Sequence, residues 1–307
     1  IRGDYNFDYA FLALSHQGLL LLAGESKSSA DGQGNAALYH LNSKGQVINK
    51  KSFETGANNR LWHVQKLKDG NFVASGYTDN SKGHRSGWLL KLDPKGNIMW
   101  QRQYPRGMAA EIYKTIEAID GSILTVGYST PTYIQGSKDR FNAGWVMAVD
   151  SGNGSEIWQR YFTGDHDYQA TQLATNAYGL ISVLLTAKQP VKSEEGDFVR
   201  LLTLNKRGEI IESSSFYEGQ GAHIHDMVLG RLKGRIMVGS VAVKYDVNPP
   251  MQAMQTMQKE TAHENVPEKE MSAENTDAQV ISTVPIISED GWIVAAPPAP
   301  NYQDPCQ

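Results

Sequence analysis

The chain has 307 residues, of which 40% are apolar and 20% are charged, so it is long enough to bury a large core and too apolar for a disordered chain. Its formal net charge of −4 gives no broad positive surface for nucleic acid or for an anionic membrane. No apolar run approaches about 18 residues, so the sequence predicts no membrane-spanning helix.

After a lead-in over 1–7, the chain shows short strand signals separated by turn signals. The clearest stretch is 61–105, in which four runs of β-branched, aromatic and alternating polar residues are separated by Asp69-Gly70, by the polar loop 79–85 and by Pro94-Lys95-Gly96. Glycine supplies the positive φ that such tight turns need. Four antiparallel strands in about 45 residues is the size of one propeller blade.

This unit recurs at a period of about 50 to 60 residues. The glycines expected to close the first and second hairpins of each unit are Gly18, Gly70, Gly121, Gly179 and Gly234, and Gly45, Gly96, Gly154, Gly208 and Gly291. The sequence therefore predicts one all-β domain over 8–299, a β-propeller of four-stranded antiparallel blades. Five blades are expected, over about 8–53, 58–105, 109–162, 167–216 and 223–299. The alternative is six blades, with Gly291 as a sixth first-hairpin glycine.

The pattern breaks over 247–277, which is rich in Met, Gln and Glu and shows no strand alternation. Met251, Met254 and Met257 would share one face of a short helix, so this insertion is either a solvated segment or a partner-docking one. Residues 278–291 and the run from Trp292 are predicted as the third and fourth strands of blade five.

Both ends of the chain carry expectations. Because the chain starts at Ile1 without a signal peptide, we expect a processed or a truncated form. The tail over 300–307 holds the single cysteine, Cys306, which is either a free thiol or half of an intermolecular disulfide.

Blade three carries a family resemblance. Its run Ala148-Val149-Asp150-Ser151-Gly152-Asn153-Gly154-Ser155-Glu156-Ile157-Trp158 resembles the tryptophan-docking motif of PQQ-type propeller repeats, with Asn153 in place of threonine, and 92–100 resembles a shorter version. The resemblance implies that each tryptophan packs on the neighbouring blade, and it extends to bacterial repeat propellers, many of them exported. It does not imply quinone chemistry, because one cysteine cannot form the disulfide of adjacent cysteines on which that family stacks its cofactor. No cofactor is expected.

Polar residues near the starts of the first strands are candidates for lining the central channel, since the first strand of each blade is innermost. The channel-lining candidates are Asp8, His63, Lys114, Gln169 and His225. Strand alternation would place His223 and His225 on one face, which makes them weak candidates for a metal site. The simpler interpretation is polar lining of a wet channel.

Two classes of function stay open. The first is a non-catalytic scaffold, periplasmic or at the cell surface, that binds a protein or a glycan and serves as a possible subunit of a larger assembly. The second is a glycan-active hydrolase with a channel-mouth site, for which Asp8 and Asp226 are distant carboxylate candidates. No catalytic motif is present, so the sequence favours the scaffold.

The connections between second and third strands differ most from blade to blade, and they emerge on one face. Recognition is usually placed on loops that a rigid scaffold holds. The partner-binding candidates on this face are Tyr133, Lys138, Arg140, Phe141, Met251, Met254 and Met257. Trp88, Trp100, Trp145 and Trp158 are expected to be largely buried and structural.

Overall fold

A computed structural model of the chain describes residues 11–14, 20–27, 34–53, 58–131, 141–164, 166–188, 198–217, 222–229, 235–241 and 291–296. This part of the chain consists of β-strands and turns, and it contains no helix that would reach across a membrane. The insertion 247–277, the lead-in, the tail and Cys306 lie outside the described residues.

The strands form antiparallel sheets in chain order, one for each repeat unit, and a single parallel bridge between Arg85 and Ala109 joins the second and third of them into an eight-stranded sheet. The first sheet contains β1 (Phe11–Leu14), β2 (Leu20–Lys27), β3 (Gly34–Leu41) and β4 (Val47–Phe53). The second contains β5 (Asn59–Lys66), β6 (Phe72–Asp79), β7 (Arg85–Leu92) and β8 (Ile98–Tyr104). The third contains β9 (Ala109–Glu117), β10 (Ile123–Thr130), β11 (Ala143–Val149) and β12 (Glu156–Phe162). The fourth contains β13 (Asp167–Thr175), β14 (Ile181–Lys188), β15 (Phe198–Leu204) and β16 (Ile210–Tyr217). The last contains β17 (Ala222–Leu229), β18 (Arg235–Val241) and β19 (Gly291–Ala296).

These sheets are the blades of an all-β propeller. The first strands β1, β5, β9, β13 and β17 lie side by side in chain order. Clusters of buried side chains join consecutive blades: Leu38 and Trp88 belong to one cluster, and Val146 and Leu185 belong to another. The core therefore lies between the blades, and the closed ring of five blades stays a prediction.

The repeated glycines form the tight turns that the sequence predicts. Gly70, Gly121 and Gly179 in first hairpins, and Gly45, Gly96, Gly154 and Gly208 in second hairpins, all have φ between 72° and 87°. An Asn or Asp side chain fixes many of these turns: Asp93 Oδ1 accepts the backbone N–H groups of Lys95 and Asn97, both at 2.8 Å.

The four tryptophans that were expected to be structural fall into two pairs. Trp88 and Trp145, on third strands, are fully buried and lie opposite Gly76 and Gly127 in the register. Trp100 and Trp158, on fourth strands, are less deeply buried than these two, and each packs against a cluster of buried side chains. They lie on the outermost strand, where one side of the sheet faces solvent.

Trp100 and Trp158 nevertheless dock on the next blade. The Trp100 indole N–H donates to the Ser151 carbonyl at 3.1 Å, and the Trp158 indole N–H donates to the Lys206 carbonyl at 2.9 Å. Each ring lies so close to a hairpin glycine, Gly154 or Gly208, that a Cβ there would stand within 2.8 Å of it. Each outer tryptophan thus ties its blade to the second hairpin of the following blade.

Blade five differs from the strand assignment that the sequence predicts. Gly291 closes no hairpin, because it begins β19, which pairs directly with β18. Trp292 lies opposite Gly239, just as Trp88 lies opposite Gly76, so it occupies the third-strand position and not the fourth. The predicted assignment was wrong because it matched Trp292 to the outer tryptophans, whereas a Gly-Trp pair marks a third strand.

Candidate functional site

Four first strands share one irregularity that shapes the centre of the propeller. The pairing with the second strand shifts at Trp62, Tyr113, Thr171 and His225, so each of these residues is a β-bulge. The bulge moves every following side chain by one position relative to simple alternation. Strand alternation alone therefore assigns the residues after the bulge to the wrong face of the sheet.

Glycines on the second strand make room for two of these bulges. A Cβ at Gly76 would stand 1.8 Å from the Arg60 carbonyl oxygen, and one at Gly127 would stand 1.8 Å from the Glu111 carbonyl oxygen. Neither glycine has a positive φ, so the requirement is close backbone approach and not turn geometry. A tyrosine follows each glycine, Tyr77 and Tyr128.

The residues just after the bulges are His63, Lys114, Gln172 and Asp226. Lys114 Nζ donates to Gln172 Oε1 and to Asp226 Oδ1, both at 2.7 Å, and so joins three consecutive blades. Burial lowers the pKa of His63 to about 3; the Lys114 charge adds to that shift and Asp226 partly opposes it. The group is a neutral imidazole beside a bound ammonium.

We call the face of the propeller at which the first strands begin and the second strands end the mouth face. An aromatic row lies on this face. The row runs Tyr77, Trp62, Tyr113, Tyr128, with ring centroids 6.2, 6.0 and 5.7 Å apart. Blades two and three contribute two rings each. Burial raises the pKa of Tyr113 and of Tyr128 far above the usual range, so both phenols stay protonated.

Charged side chains are fixed around this row. Glu111 accepts hydrogen bonds from Trp62 Nε1 at 2.9 Å, Arg85 Nη1 at 2.6 Å and the Tyr128 hydroxyl at 3.1 Å. Arg85 also binds Asp79 through two nitrogens, at 2.8 and 3.2 Å. Hydrogen bonds to Asp79 and Glu111 raise the pKa of Arg85, against an opposing burial effect that is the largest single contribution.

The arginines cover two of the rings. Arg85 lies 3.8 Å from the centre of the Tyr77 ring, and Arg60 lies 4.8 Å from the centre of the Trp62 ring and is paired with Glu25 of blade one. Glu25, Asp79 and Glu111 are only 8%, 6% and 5% exposed. The network thus joins blades one, two and three and presents its carboxylates already bound.

A cavity of about 590 Å³ opens farther out on the mouth face, in blade three. Its described lining residues are Gly107, Ser129, Pro131, Phe141, Ala143, Tyr161, Thr163 and Gly164. Hydrogen bonds hold the base of this region. Asn142 accepts from the Thr130 hydroxyl at 2.7 Å, and its own N–H donates to Asp167 of blade four at 2.7 Å.

The channel-lining candidates have different fates. His63 and Lys114 take equivalent positions after the bulge. Gln169 takes instead the position of Arg60 and Glu111, and Gln172 contacts Lys114. Asp226, not His225, takes the position after the fourth bulge. Asp8 lies outside the described residues.

The metal and partner candidates are located only in part. The bulge at His225 removes the alternation argument for placing His223 and His225 on one face. Within the described ranges, no three His, Cys, Asp or Glu side chains are arranged to hold a metal ion. Phe141 lines the blade-three cavity, and the other partner-binding candidates, Tyr133, Lys138, Arg140, Met251, Met254 and Met257, lie outside the described part of the chain.

Sequence reasoning missed the aromatic row and its arginines. The available signal was the repeated order polar, aliphatic, bulge residue, polar in Arg60-Leu61-Trp62-His63, Glu111-Ile112-Tyr113-Lys114 and Gln169-Ala170-Thr171-Gln172. The Gly-Tyr pairs on the following strands were a second signal. Both become legible only when the bulge is known.

Comparison with known proteins identifies the fold and no family. Neither the family models nor the curated proteins give a match. A protein of unknown function from Dyadobacter fermentans has 10% identity over 78% of this chain and 76% of that chain, with a TM-score of 0.50. The β-propeller domain of the Trilobed protease from Pyrococcus furiosus has 11% identity over 78% and 66%, with a TM-score of 0.41. A gluconolactonase from Xanthomonas campestris has 13% identity over 74% and 68%, with a TM-score of 0.40. At such identities the likeness concerns the fold alone, and the PQQ-type resemblance stays a prediction.

Proposed function

We propose that this protein is a non-catalytic β-propeller that binds a partner through its mouth face, as an exported or cell-surface component. The observation that carries the proposal is the aromatic row with its arginines at the centre of that face. Trp, Tyr and Arg are the side chains that dominate protein–protein binding energy, especially when the surrounding structure fixes them in place. Export is supported only by the resemblance to exported repeat propellers.

The state of the polar groups favours a protein over a glycan as the partner. A sugar would need free donors and acceptors and open ring faces, whereas Arg85 is bound to Asp79 and Glu111 and lies over Tyr77. Arg60 is likewise paired with Glu25 and lies over Trp62. A surface whose charges are already neutralised can be covered by a protein at a smaller desolvation cost.

The same pairing weighs against the hydrolase alternative. Glycoside hydrolysis needs one carboxylic acid that gives a proton to the leaving group. All the partners described for Glu111 are donors, and Asp79 accepts from the same arginine, so both groups are fixed acceptors. We expect no turnover of aryl glycosides by the purified chain; turnover that Glu111→Gln abolishes would replace the scaffold proposal.

Site-specific photo-crosslinking in the source cell tests the proposal. A photoreactive phenylalanine replaces His84, an exposed turn residue on the mouth face, or Lys44, an exposed turn residue in a second hairpin on the opposite face. We expect a protein adduct from position 84, lost when Tyr113→Ala is added, and none from position 44. Equal adducts from both positions, or none from position 84, would contradict the proposal, and an adduct that proves to be a glycan would make the partner a glycan.

A further inference from the structure

The described lining residues of the blade-three cavity are uncharged. They contribute aromatic and apolar surface from Pro131, Phe141, Ala143 and Tyr161, with hydroxyls from Ser129 and Thr163. Burial of an uncharged aromatic group against such residues is favourable, whereas burial of an ionised group is costly unless it meets a partner of opposite charge.

One wall of the cavity is a fixed aromatic ring. Tyr161 is 41% exposed, and its ring is stacked on Trp145 with an interplanar angle of 8°. Its hydroxyl donates to Gln159 Oε1 at 2.8 Å, and the same oxygen accepts from Trp145 Nε1 at 3.2 Å and from Arg106 Nε at 3.0 Å. A ring held in this way loses little conformational entropy when a ligand covers it.

Tyr161 also departs from the repeat. In the register it lies opposite Trp145, and the residues at the same position in the other four-stranded blades are Ser52, Gln103 and Ser215. Packing between blades therefore does not require an aromatic residue there. The exposed ring, the cavity in front of it and the proline and phenylalanine at its edge occur together in one blade.

We infer that this cavity is an anchor pocket for an uncharged aromatic side chain of the protein partner. The inference rests on the proposed function, because the pocket opens on the same mouth face, and it names the chemistry of the group that the partner inserts. The volume of about 590 Å³ falls in the range of pockets that enclose a ligand of this kind.

Small amino-acid amides serve as probes. N-acetyl-phenylalaninamide is titrated into the 307-residue chain while NMR follows the Trp145 indole N–H, assigned with Trp145→Phe. N-acetyl-lysinamide and N-acetyl-glutamate amide are the charged counterparts. We expect a saturable shift with the phenylalanine probe alone. Tyr161→Gln, which installs the residue of blade two and so should preserve the fold, should weaken binding at least tenfold. Gln103→Ser, the matched change in blade two, should leave binding unchanged.

Binding of the charged probes as strong as that of the phenylalanine probe, or undiminished binding to a folded Tyr161→Gln variant, would overturn the inference. If no probe binds while crosslinking from position 84 persists and depends on Tyr113, the pocket inference fails and the proposed function stands. If the probe binds as expected but no partner is crosslinked, the proposed function fails, and with it the assignment of the pocket to a partner's side chain.

Discussion

At the scale of single residues, Arg85 combines binding-surface chemistry with a structural role. Its guanidinium joins Asp79 of its own blade to Glu111 of the next and lies over the Tyr77 ring. The side chain is 31% exposed, whereas those of the two carboxylates are 8% and 6% exposed. Removing the arginine would leave two buried anions without their cation, which is the expensive way to break an ion pair.

Arg85→Ala should therefore lower the free energy of unfolding by roughly 2 to 3 kcal/mol, a value discounted for the partial exposure of the guanidinium. Urea unfolding at neutral pH measures it. Arg207→Ala is the control, because Arg207 is 80% exposed in its pair with Glu209 and should give no measurable change. Equal effects of the two substitutions would show that the network around Glu111 adds no stability.

His63 makes stability depend on pH. Its pKa falls from 6.5 to about 3 in the folded protein because burial disfavours the charged imidazolium. Above pH 6.5 neither state binds the proton, and the full stability is present. Between pH 6.5 and 3 the unfolded state binds a proton that the folded state refuses, so the free energy of unfolding falls as the pH falls, by at most about 1.4 kcal/mol per pH unit.

His63→Gln, which places there the residue that blade four carries after its bulge, should flatten this decline. The measurement is urea unfolding at pH 7.5 and at pH 5 for the wild type and the variant. His84→Gln, in an exposed turn, should decline like the wild type. If His63→Gln kept the full decline, the imidazole would be accessible to protons in the folded state.

At the scale of elements, the turns and the strands differ in how far the sequence determines them. The turns were predictable, because an Asn or Asp followed by a glycine fixes a local geometry without help from the rest of the fold, as at Asp93-Pro94-Lys95-Gly96. The bulges were not, because Trp62 and Tyr113 look like ordinary alternating residues until the register with Gly76 and Gly127 is known. Of the channel-lining candidates, His63 and Lys114 accordingly lie just after a bulge, whereas Gln169 and His225 do not.

The docking of an outer tryptophan on the next blade predicts a difference between two glycines with nearly the same backbone. Gly208 and Gly45 have φ of 75° and 76°, so alanine at either is strained by about 1 to 2 kcal/mol. Among the described residues nothing lies within 4 Å of a Cβ added at Gly45, whereas at Gly208 the Trp158 ring lies at 2.6 Å. Gly208→Ala should therefore lower the melting temperature more than Gly45→Ala does.

The larger loss of melting temperature in Gly208→Ala should disappear when each glycine substitution is made separately in a Trp158→Ala background, because the added methyl group then meets no indole. Thermal unfolding followed by circular dichroism compares the four variants with their two parents. An excess that persists without Trp158 would mean that the hairpin at Gly208 is constrained by something other than the docked ring.

At the scale of the whole molecule, the repeat predicted the propeller because each blade alone buries too little surface and packing on its neighbours completes the core. The features that the repeat did not predict lie where the sequence departs from the repeat, and they could be interpreted only with the structure. The Gly-Trp pair at Gly291 and Trp292 was visible in the sequence, but a long insertion separated it from β18 and hid its equivalence to Gly87-Trp88. The register of Ser240 with Gly291 restores that equivalence.

This register predicts that the segment between β18 and β19 can be exchanged. Ser240 and Gly291 are partners, so the roughly fifty residues from 242 to 290 connect two adjacent strand ends. In blade two the equivalent connection is 79–86, which includes the Asn80 turn. Replacing 242–290 with the sequence of 79–86 should preserve the propeller and raise the free energy of unfolding by about 1.5 kcal/mol, because a shorter loop costs less entropy to close.

Urea unfolding of the exchanged variant measures that change. The control is a variant in which the 28–33 connection of blade one is exchanged for a turn of the same length, since it also alters a loop on the mouth face. A loss of stability would show that residues between 242 and 290 pack on the ring and contribute to its core.

The same variant tests the partner hypothesis for Met251, Met254 and Met257. If crosslinking from position 84 disappears while the fold is kept, the insertion belongs to the binding surface; if it is undiminished, partner binding depends on the aromatic row and the blade-three cavity alone.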